Sequence, residues 1–393
     1  MAMENLLIRF LVLITILFFL PKFINKFYKV PYPLTEIFLG IMLGLLVPNF
    51  FYLDDMTNIL ATLGIITLFV SAGIEVDIPF ITKNKSFFIG NLARHVLLFA
   101  IVGLGFSIAF KMPMHESLLV SIALTTPSAS YILSALNHAS RKDKIWVSNK
   151  AIAGEVIALI LLIILLKIEN PPELLLTIAI LAVLIFALPY LFKVFFKRVF
   201  SELAGTEFSF IFVIALISAY LTEYLGVHFL IGAFIAGFIS RRFVTQIVKD
   251  KDYRHLTQKK GDAIIESFGF FASTFIPFYF FSIGLKIELN LLTYYNVGMA
   301  IGLAIVVSAV KIITIAIHRK VSMKESFLDG MRMGAMLLPT LVFTFVIATL
   351  LRRMAMIDDS LFAILMFYGI FTSIMGLLLP KLIIHWMEKK SKH

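Results

Sequence analysis

The chain has 393 residues, 60% of them hydrophobic and only 15% charged, with a mean hydropathy of +0.97. That charge content lies far below the roughly 25% of an average soluble domain. The composition excludes an ordinary soluble globule, and the absence of cysteine excludes disulfides, thiolate metal sites and cysteine nucleophiles. A net charge of +11 would point to nucleic acid in a soluble protein; in a membrane protein the distribution of Lys and Arg between loops carries the information instead, and nucleic acid is not an expected partner.

A helix crossing a hydrocarbon core of about 30 Å needs about 20 mostly apolar residues. Cutting the sequence where charges and turn formers interrupt such runs predicts thirteen segments, at roughly 5–21, 32–48, 57–75, 87–110, 115–137, 146–167, 172–196, 204–223, 226–240, 262–285, 292–317, 326–351 and 359–386. The first lacks a basic region before it and a small-residue cleavage site after it, so it is expected to be a retained helix rather than a signal peptide. The basic residues alternate between the intervening loops. Twenty-four fall on one side, among them Lys22, Lys83, Arg141, Lys197, Arg241, Arg319 and Lys389, against five on the other: Lys111, Lys167, Lys286, Arg352 and Arg353. Cytoplasmic loops carry the Lys/Arg excess, which predicts the N-terminus outside and the C-terminus inside. Trp146 and Trp386, the two tryptophans, both fall at predicted cytoplasmic interfaces.

An odd number of spans fits two inverted six-helix repeats joined by a linker helix, an arrangement in which ion sites form where discontinuous helices meet near the midplane. Under that pairing the fifth segment matches the twelfth. The fifth carries Thr125, Thr126, Pro127, Ser128, Ala129 and Ser130 at its middle, and the twelfth carries Leu338, Pro339 and Thr340. Proline removes a backbone donor and clashes with the preceding turn, so both helices are expected to break there. The plainer alternative is two ordinary kinks.

A charge at the bilayer centre costs about 2.5–3.5 kcal/mol or more and is a functional candidate by default. Glu155 stands nine residues into the sixth segment, about 13 Å from its cytoplasmic end at 1.5 Å per residue, directly after Gly154. A buried carboxylate offers oxygen to a hard monovalent cation and can also hold a proton, so both would compete for one group. Lys311 lies at a similar depth in the eleventh segment and is the matching candidate for a partner and second proton carrier. Structural ion pairing for Glu155 and snorkelling for Lys311 are the plainer readings. Arg94, Lys150 and Arg332 are within snorkelling reach of the cytoplasmic surface. Glu36, Glu75 and Glu266 could line a cytoplasmic funnel, and His95 and His228 read as packing histidines.

Three further stretches carry a resemblance: Phe69-Val70-Ser71-Ala72-Gly73-Ile74-Glu75, Gly232-Ala233-Phe234-Ile235-Ala236-Gly237 and Phe280-Phe281-Ser282-Ile283-Gly284-Leu285. With the two broken helices and Glu155, their order resembles the membrane domain of the monovalent cation/proton antiporter-2 family, which includes NapA-like sodium/proton antiporters and Kef-type potassium efflux systems. The resemblance implies an all-α polytopic NapA/NhaA-like fold with crossed discontinuous helices. It also implies a homodimer with dimerisation (panel) helices plus linker at about 1–56 and 172–240, and ion-transport core helices at about 57–167 and 262–393. It assigns Thr126, Ser128 and Ser130 to the unwound-helix motif, Glu155 to the second of the family's paired carboxylates, and Lys311 to its core lysine. Where electrogenic members have Asp-Asp, this chain has Gly154-Glu155, so one carboxylate is missing.

The sequence thus predicts a monovalent cation/proton antiporter of the cell inner (plasma) membrane, exporting sodium or potassium against protons by alternating access. Glu155, Thr126 and Ser128 would hold the cation, and no cofactor is implied beyond the transported ions. A sodium-coupled symporter of a small organic anion on a similar scaffold is the alternative; a pocket lined by paired basic residues would favour it. Enzyme activity has no motif to support it.

Overall fold

The computed structural model describes residues 2–76, 85–135, 140–198, 207–225, 228–247 and 258–391. Within them the chain is helical: α1 (Ala2–Tyr28), α2 (Tyr32–Leu46), α3 (Asp55–Ile74), α4 (Lys85–Phe110), α5 (Met114–Thr125), α6 (Ala129–Ala135), α7 (Arg141–Lys167), α8 (Pro171–Arg198), α9 (Glu207–Tyr224), α10 (Phe229–Ile247), α11 (Gln258–Leu285), α12 (Tyr294–Met323), α13 (Phe327–Met336), α14 (Leu341–Arg353) and α15 (Asp359–Ser391). The protein is a polytopic all-α membrane protein. In a bilayer the backbone must satisfy its own hydrogen bonds, which is why the apolar runs become helices and the short polar stretches become their caps. The side chain of Asp54 accepts from Thr57 N–H to start α3, Thr293 does the same for α12 through Asn296, and Ser326 for α13 through Asp329.

Within the described residues each of the thirteen predicted segments falls on a helix or a broken helix; the end of the fifth and the starts of the eighth and ninth lie outside them. Among the described residues eight helices are long and apolar enough to cross a membrane, or nine if the bent pair α13–α14 counts as one span. The difference from thirteen lies in α2 and α9, which are shorter; in α5 and α6, which are the halves of a broken segment; and in α10, whose end carries Arg241 and Arg242.

Contacts divide the chain into two compact units. The first comprises Met1–Lys26, Glu36–Lys83 and Leu166–Leu285. Its helices approach through glycine: a side chain at Gly73 would run into the backbone of Phe234 and Phe238, and one at Gly40 into the backbone around Phe281 and Gly284. Small residues let helix backbones touch where lipid supplies no hydrophobic drive between helices. Leu13, Leu17, Leu39, Phe51, Phe278 and Phe281 fill the space beside α1. Near one end of α1, the buried Arg9 binds the Asp54 carboxylate at 2.8 Å and the Tyr52 carbonyl at 2.8 Å. The sequence reading put 57–75 and 262–285 with the core helices; by their contacts α3 and α11 pack within this first unit.

The second unit comprises Phe27–Thr35, Asn84–Leu165 and Lys286–His393. It holds both broken segments, Glu155 and Lys311. In it α12 packs on α13 and α15, α4 on α5, and α14 on α5 and α15.

Candidate functional site

The first break comes where α5 ends at Thr125. Thr126 is extended (φ −70°, ψ 118°), Pro127 follows, and helix resumes at Ala129. The second lies between Met336 and Leu341, where α13 and α14 meet at 52°. Proline accounts for both, because each lacks the N–H that an unbroken helix would use. The two breaks adjoin. Ser128 N–H donates to the Pro339 carbonyl at 2.7 Å, and the Thr344 hydroxyl donates to the Ala123 carbonyl at 2.7 Å. The Tyr368 hydroxyl of α15 reaches the Leu124 carbonyl at 2.5 Å, fastening the end of α5.

Glu155 is 5% exposed, and its Oε1 accepts the N–H of Ala129 at 2.8 Å, the first residue after the break. Gly154 makes that approach possible. A Cβ at this position would stand 3.0 Å from the Pro127 ring and 3.0 Å from Nε2 of His95. A second glycine seats the second proline in the same manner: a Cβ at Gly376, on α15, would stand 2.5 Å from the Pro339 ring. The sequence reading found Gly154 through its neighbour Glu155 but missed Gly376, whose only signal is its place in the last segment, the match of the sixth.

The hydroxyls at the breaks differ in their bonding. Thr125 and Thr126 donate back to the Ser121 and Ile122 carbonyls, at 2.6 and 2.7 Å, leaving their lone pairs as acceptors. The side-chain oxygens of Ser128 and Ser130 are buried with no hydrogen-bond partner among the described residues. The Thr340 hydroxyl lies 3.2 Å from that of Thr372 and 2.8 Å from that of Thr344, which can accept from it while donating to Ala123. Lys311 is 3% exposed and its ammonium donates to the Leu338 carbonyl at 3.2 Å, so it lies at the second break rather than snorkelling. The structure therefore brings Thr125, Thr126, Pro127, Ser128, Gly154, Glu155, Lys311, Pro339 and Thr340 into one unit around two adjoining breaks. Glu75 and Glu266 are exposed and belong to the first unit, as does Glu36, which is buried at 4% exposure.

Snorkelling does not describe Lys150 either. Lys150, about a turn and a half of α7 before Glu155, is 5% exposed and hydrogen-bonded to the Asn91 side-chain oxygen at 2.8 Å. Arg332 pairs with Asp143 at 3.0 Å. For Lys150, depth along the helix gave reach to the surface, but a partner on α4 decided the direction, whereas the partner of Arg332 lies in the first turn of α7. His95 behaves as a packing histidine, with Nδ1 at 2.9 Å from the Asn91 carbonyl and its ring edge-on to Phe99. Trp146 lies under Arg319, whose guanidinium sits 4.3 Å from the ring centre.

Comparisons with known proteins converge. A profile described as sodium/hydrogen exchanger, transmembrane, matches residues 10–384. A probable Na(+)/H(+) antiporter 3 of Methanocaldococcus jannaschii is 25% identical over 406 aligned positions, covering all of both chains. K(+)/H(+) antiporter 1 of Saccharomyces cerevisiae is 31% identical over 269 residues, 60% of this chain and 29% of that much longer one. The solved structure of the sodium proton antiporter MjNhaP1 from Methanocaldococcus jannaschii superposes with a TM-score of 0.69 at 15% identity, covering 98% of this chain and 100% of that one.

Proposed function

The chain belongs to the sodium/hydrogen exchanger family, and from that membership we propose that it is a monovalent cation/proton antiporter working by alternating access around one shared carboxylate, Glu155. The observation that carries the reading is the buried Glu155 carboxylate at the start of α6, beside a stretch of backbone freed from helical bonding. Charge at such depth is retained only where it does something that a neutral group cannot. When a cation binds, the carboxylate supplies charge, and the Thr126 and Ser128 hydroxyls with the unwound carbonyls supply further oxygens. When a proton binds, the carboxyl is neutral and the oxygens are released. Only the two loaded forms are neutral at the carboxylate, so each turn of the cycle carries one ion or the other. Lys311, held by Leu338 in this conformation, is the cation nearest in role, an exchangeable partner for Glu155 in the empty site.

The finer architecture belongs to the same reading: thirteen spans with the N-terminus outside and the C-terminus inside, two inverted six-helix repeats, a homodimer, and placement in the cell inner membrane. The matched seating of Pro127 on Gly154 and Pro339 on Gly376 supports the repeat. On this reading the second compact unit is the ion-carrying part, and the panel helices come from the first.

The test is proteoliposomes with an internal pH dye, challenged with sodium, potassium and lithium in turn. Wild-type protein is expected to move protons against at least one of them, and Glu155→Gln to lose at least 99% of that flux while remaining folded and monodisperse. Cation-driven proton flux retained in Glu155→Gln ends the shared-site reading. Glu155→Asp, which restores the family's shorter carboxylate, keeps partial activity with a shifted apparent affinity.

A further inference from the structure

Within the second unit lies a cavity bounded by α4, α7 and α12 and floored by Thr125, Pro127 and Leu337 of the two breaks. Its charged and titratable lining is Arg94, His95, Lys150, Lys311 and His318, and no carboxylate lines it. About 470 Å³ is unfilled, including its open mouth, of which about 30 Å³ admits the centre of a water-sized sphere. Three basic side chains with no carboxylate among the lining residues are more positive charge than the exchange role of Lys311 uses.

The hydrogen bonding around it is one-sided. Lys150 and Arg94 both donate to the same oxygen, Oδ1 of Asn91, at 2.8 and 2.9 Å. An amide oxygen carries a partial charge and balances neither cation. Among the described residues no carboxylate lies within 4.0 Å of the Arg94, Lys150 or Lys311 nitrogens. Four buried donors in the same neighbourhood, Nδ2 of Asn91, Nε of Arg94, Nε1 of Trp146 and Nη1 of Arg319, have no acceptor among the described residues. Asn91 is fully buried; Arg319 is 4% exposed and its charge is met by the Glu325 carboxylate, which pairs with its Nε and Nη2. Trp146 ties the group together, with the Lys150 ammonium 5.7 Å and the Arg319 guanidinium 4.3 Å from its ring centre. Buried donors normally find acceptors, and each orphan costs about 1–3 kcal/mol. Arg94, Lys150 and Lys311 thus leave the cavity wall with positive charge that no carboxylate of the lining offsets, and orphan donors lie close behind it.

We propose that this cavity binds a phosphate group, presented by a phospholipid headgroup or as a free phosphate. A tetrahedral oxyanion has several acceptor oxygens and no donors, which complements the Arg94 fork and the Lys150 and Lys311 ammonium groups of the lining. Basic pockets between helices on the side carrying the Lys/Arg excess are where anionic headgroups dock; Arg319 and Lys320 mark that end of α12. The same helices carry exposed apolar side chains, Leu92, Val96 and Leu97 on α4 and Ile313 and Ile317 on α12, against which acyl chains would lie. Because Lys311 lines the cavity, a bound phosphate would offset its charge next to the second break. The binding itself does not depend on transport.

The experiment uses the full chain, delipidated in detergent, with inorganic phosphate as probe in equilibrium dialysis, and native mass spectrometry of protein taken from vesicles of phosphatidylglycerol. Saturable phosphate binding that falls at least tenfold in both Arg94→Gln and Lys150→Gln, while Lys22→Gln leaves it unchanged, is the expected result for a free ion. Phosphatidylglycerol retained by wild type and lost from Lys150→Gln is the expected result for a headgroup. Wild-type protein that binds neither overturns the proposal, whether or not the variants fold; so does binding that both substitutions leave intact. Failure of cation exchange with phosphate binding preserved would reject the transport reading alone.

Discussion

At the scale of single residues, the pair Gly154-Glu155 is a substitution of packing as much as of charge. The resemblance sets Asp-Asp of electrogenic members against this pair, yet a Cβ at 154 would press on the Pro127 ring and His95 at 3.0 Å each. Restoring the missing carboxylate by Gly154→Asp is therefore expected to push Pro127 away and lower transport at least tenfold rather than create an electrogenic exchanger, read as initial proton flux in proteoliposomes. Faster or potential-driven flux in that variant would show that the space can be made. Glu155, Lys311 and the two prolines were legible in the sequence because a charge deep in an apolar run and a proline in the middle of one are anomalies in a single strand of text. The basic cavity was not. Lys150 looks like a snorkelling side chain until Asn91, one turn from Arg94 on α4, is seen across the helix interface, and Gly376 is one small residue among many until Pro339 is seen lying on it.

At the scale of elements, the break at Pro127 and the cap at Asp54 each make a separate prediction. Pro127→Ala supplies the missing N–H and favours a continuous helix from α5 into α6, which would withdraw the Ser128 and Ala129 N–H groups from Pro339 and Glu155. The apparent cation affinity is expected to weaken by about tenfold, with the maximal rate less affected, in the same dye assay; unchanged affinity would mean that the segment is merely kinked. Asp54, just before α3, is a carboxyl whose burial alone would raise its pKa, but hydrogen bonds from Thr57 and the charge of Arg9 outweigh that and hold it below the usual value. Since its folded pKa is depressed, its stabilisation is present above the unfolded value near 4 and is lost as pH falls through the folded value. Asp54→Asn should therefore lower the thermal midpoint at pH 7, and the gap to wild type should close below about pH 4. A gap that persists in acid would place the contribution in packing instead.

At the scale of the whole molecule, the stretches that carried the family resemblance are the places where helices touch. Gly73 of one stretch meets the backbone of Phe234, Phe238 and Gly237, and Gly284 of another meets Gly40. The sequence was informative about the fold there because only glycine permits the approach, whereas the grouping of α3 and α11 with the first unit depends on contacts that no single helix records. Charge balance is the remaining property of the whole. With one site carboxylate, a cation replaces a proton without changing the charge of the site, provided Lys311 stays protonated through the cycle. Exchange is then electroneutral. A potential imposed with valinomycin and potassium on sodium-loaded liposomes is expected to leave the rate unchanged. A moved charge would feel about 2.3 kcal/mol per 100 mV, enough to alter it visibly, and such a response would identify Lys311 as a second proton carrier.

The bond that joins the two breaks, from Ser128 N–H to the Pro339 carbonyl, contains no side-chain atom. A scan that replaces one side chain after another with alanine passes over it and leaves it in place, so the region will look more tolerant than it is. Its contribution can be read only by editing the main chain itself: an ester in place of the amide at residue 128 deletes the donor and keeps every side chain. The coupling between the two halves of the site is thus written in a part of the polymer that is the same in every protein, and the sequence controls it only by deciding where the helices stop.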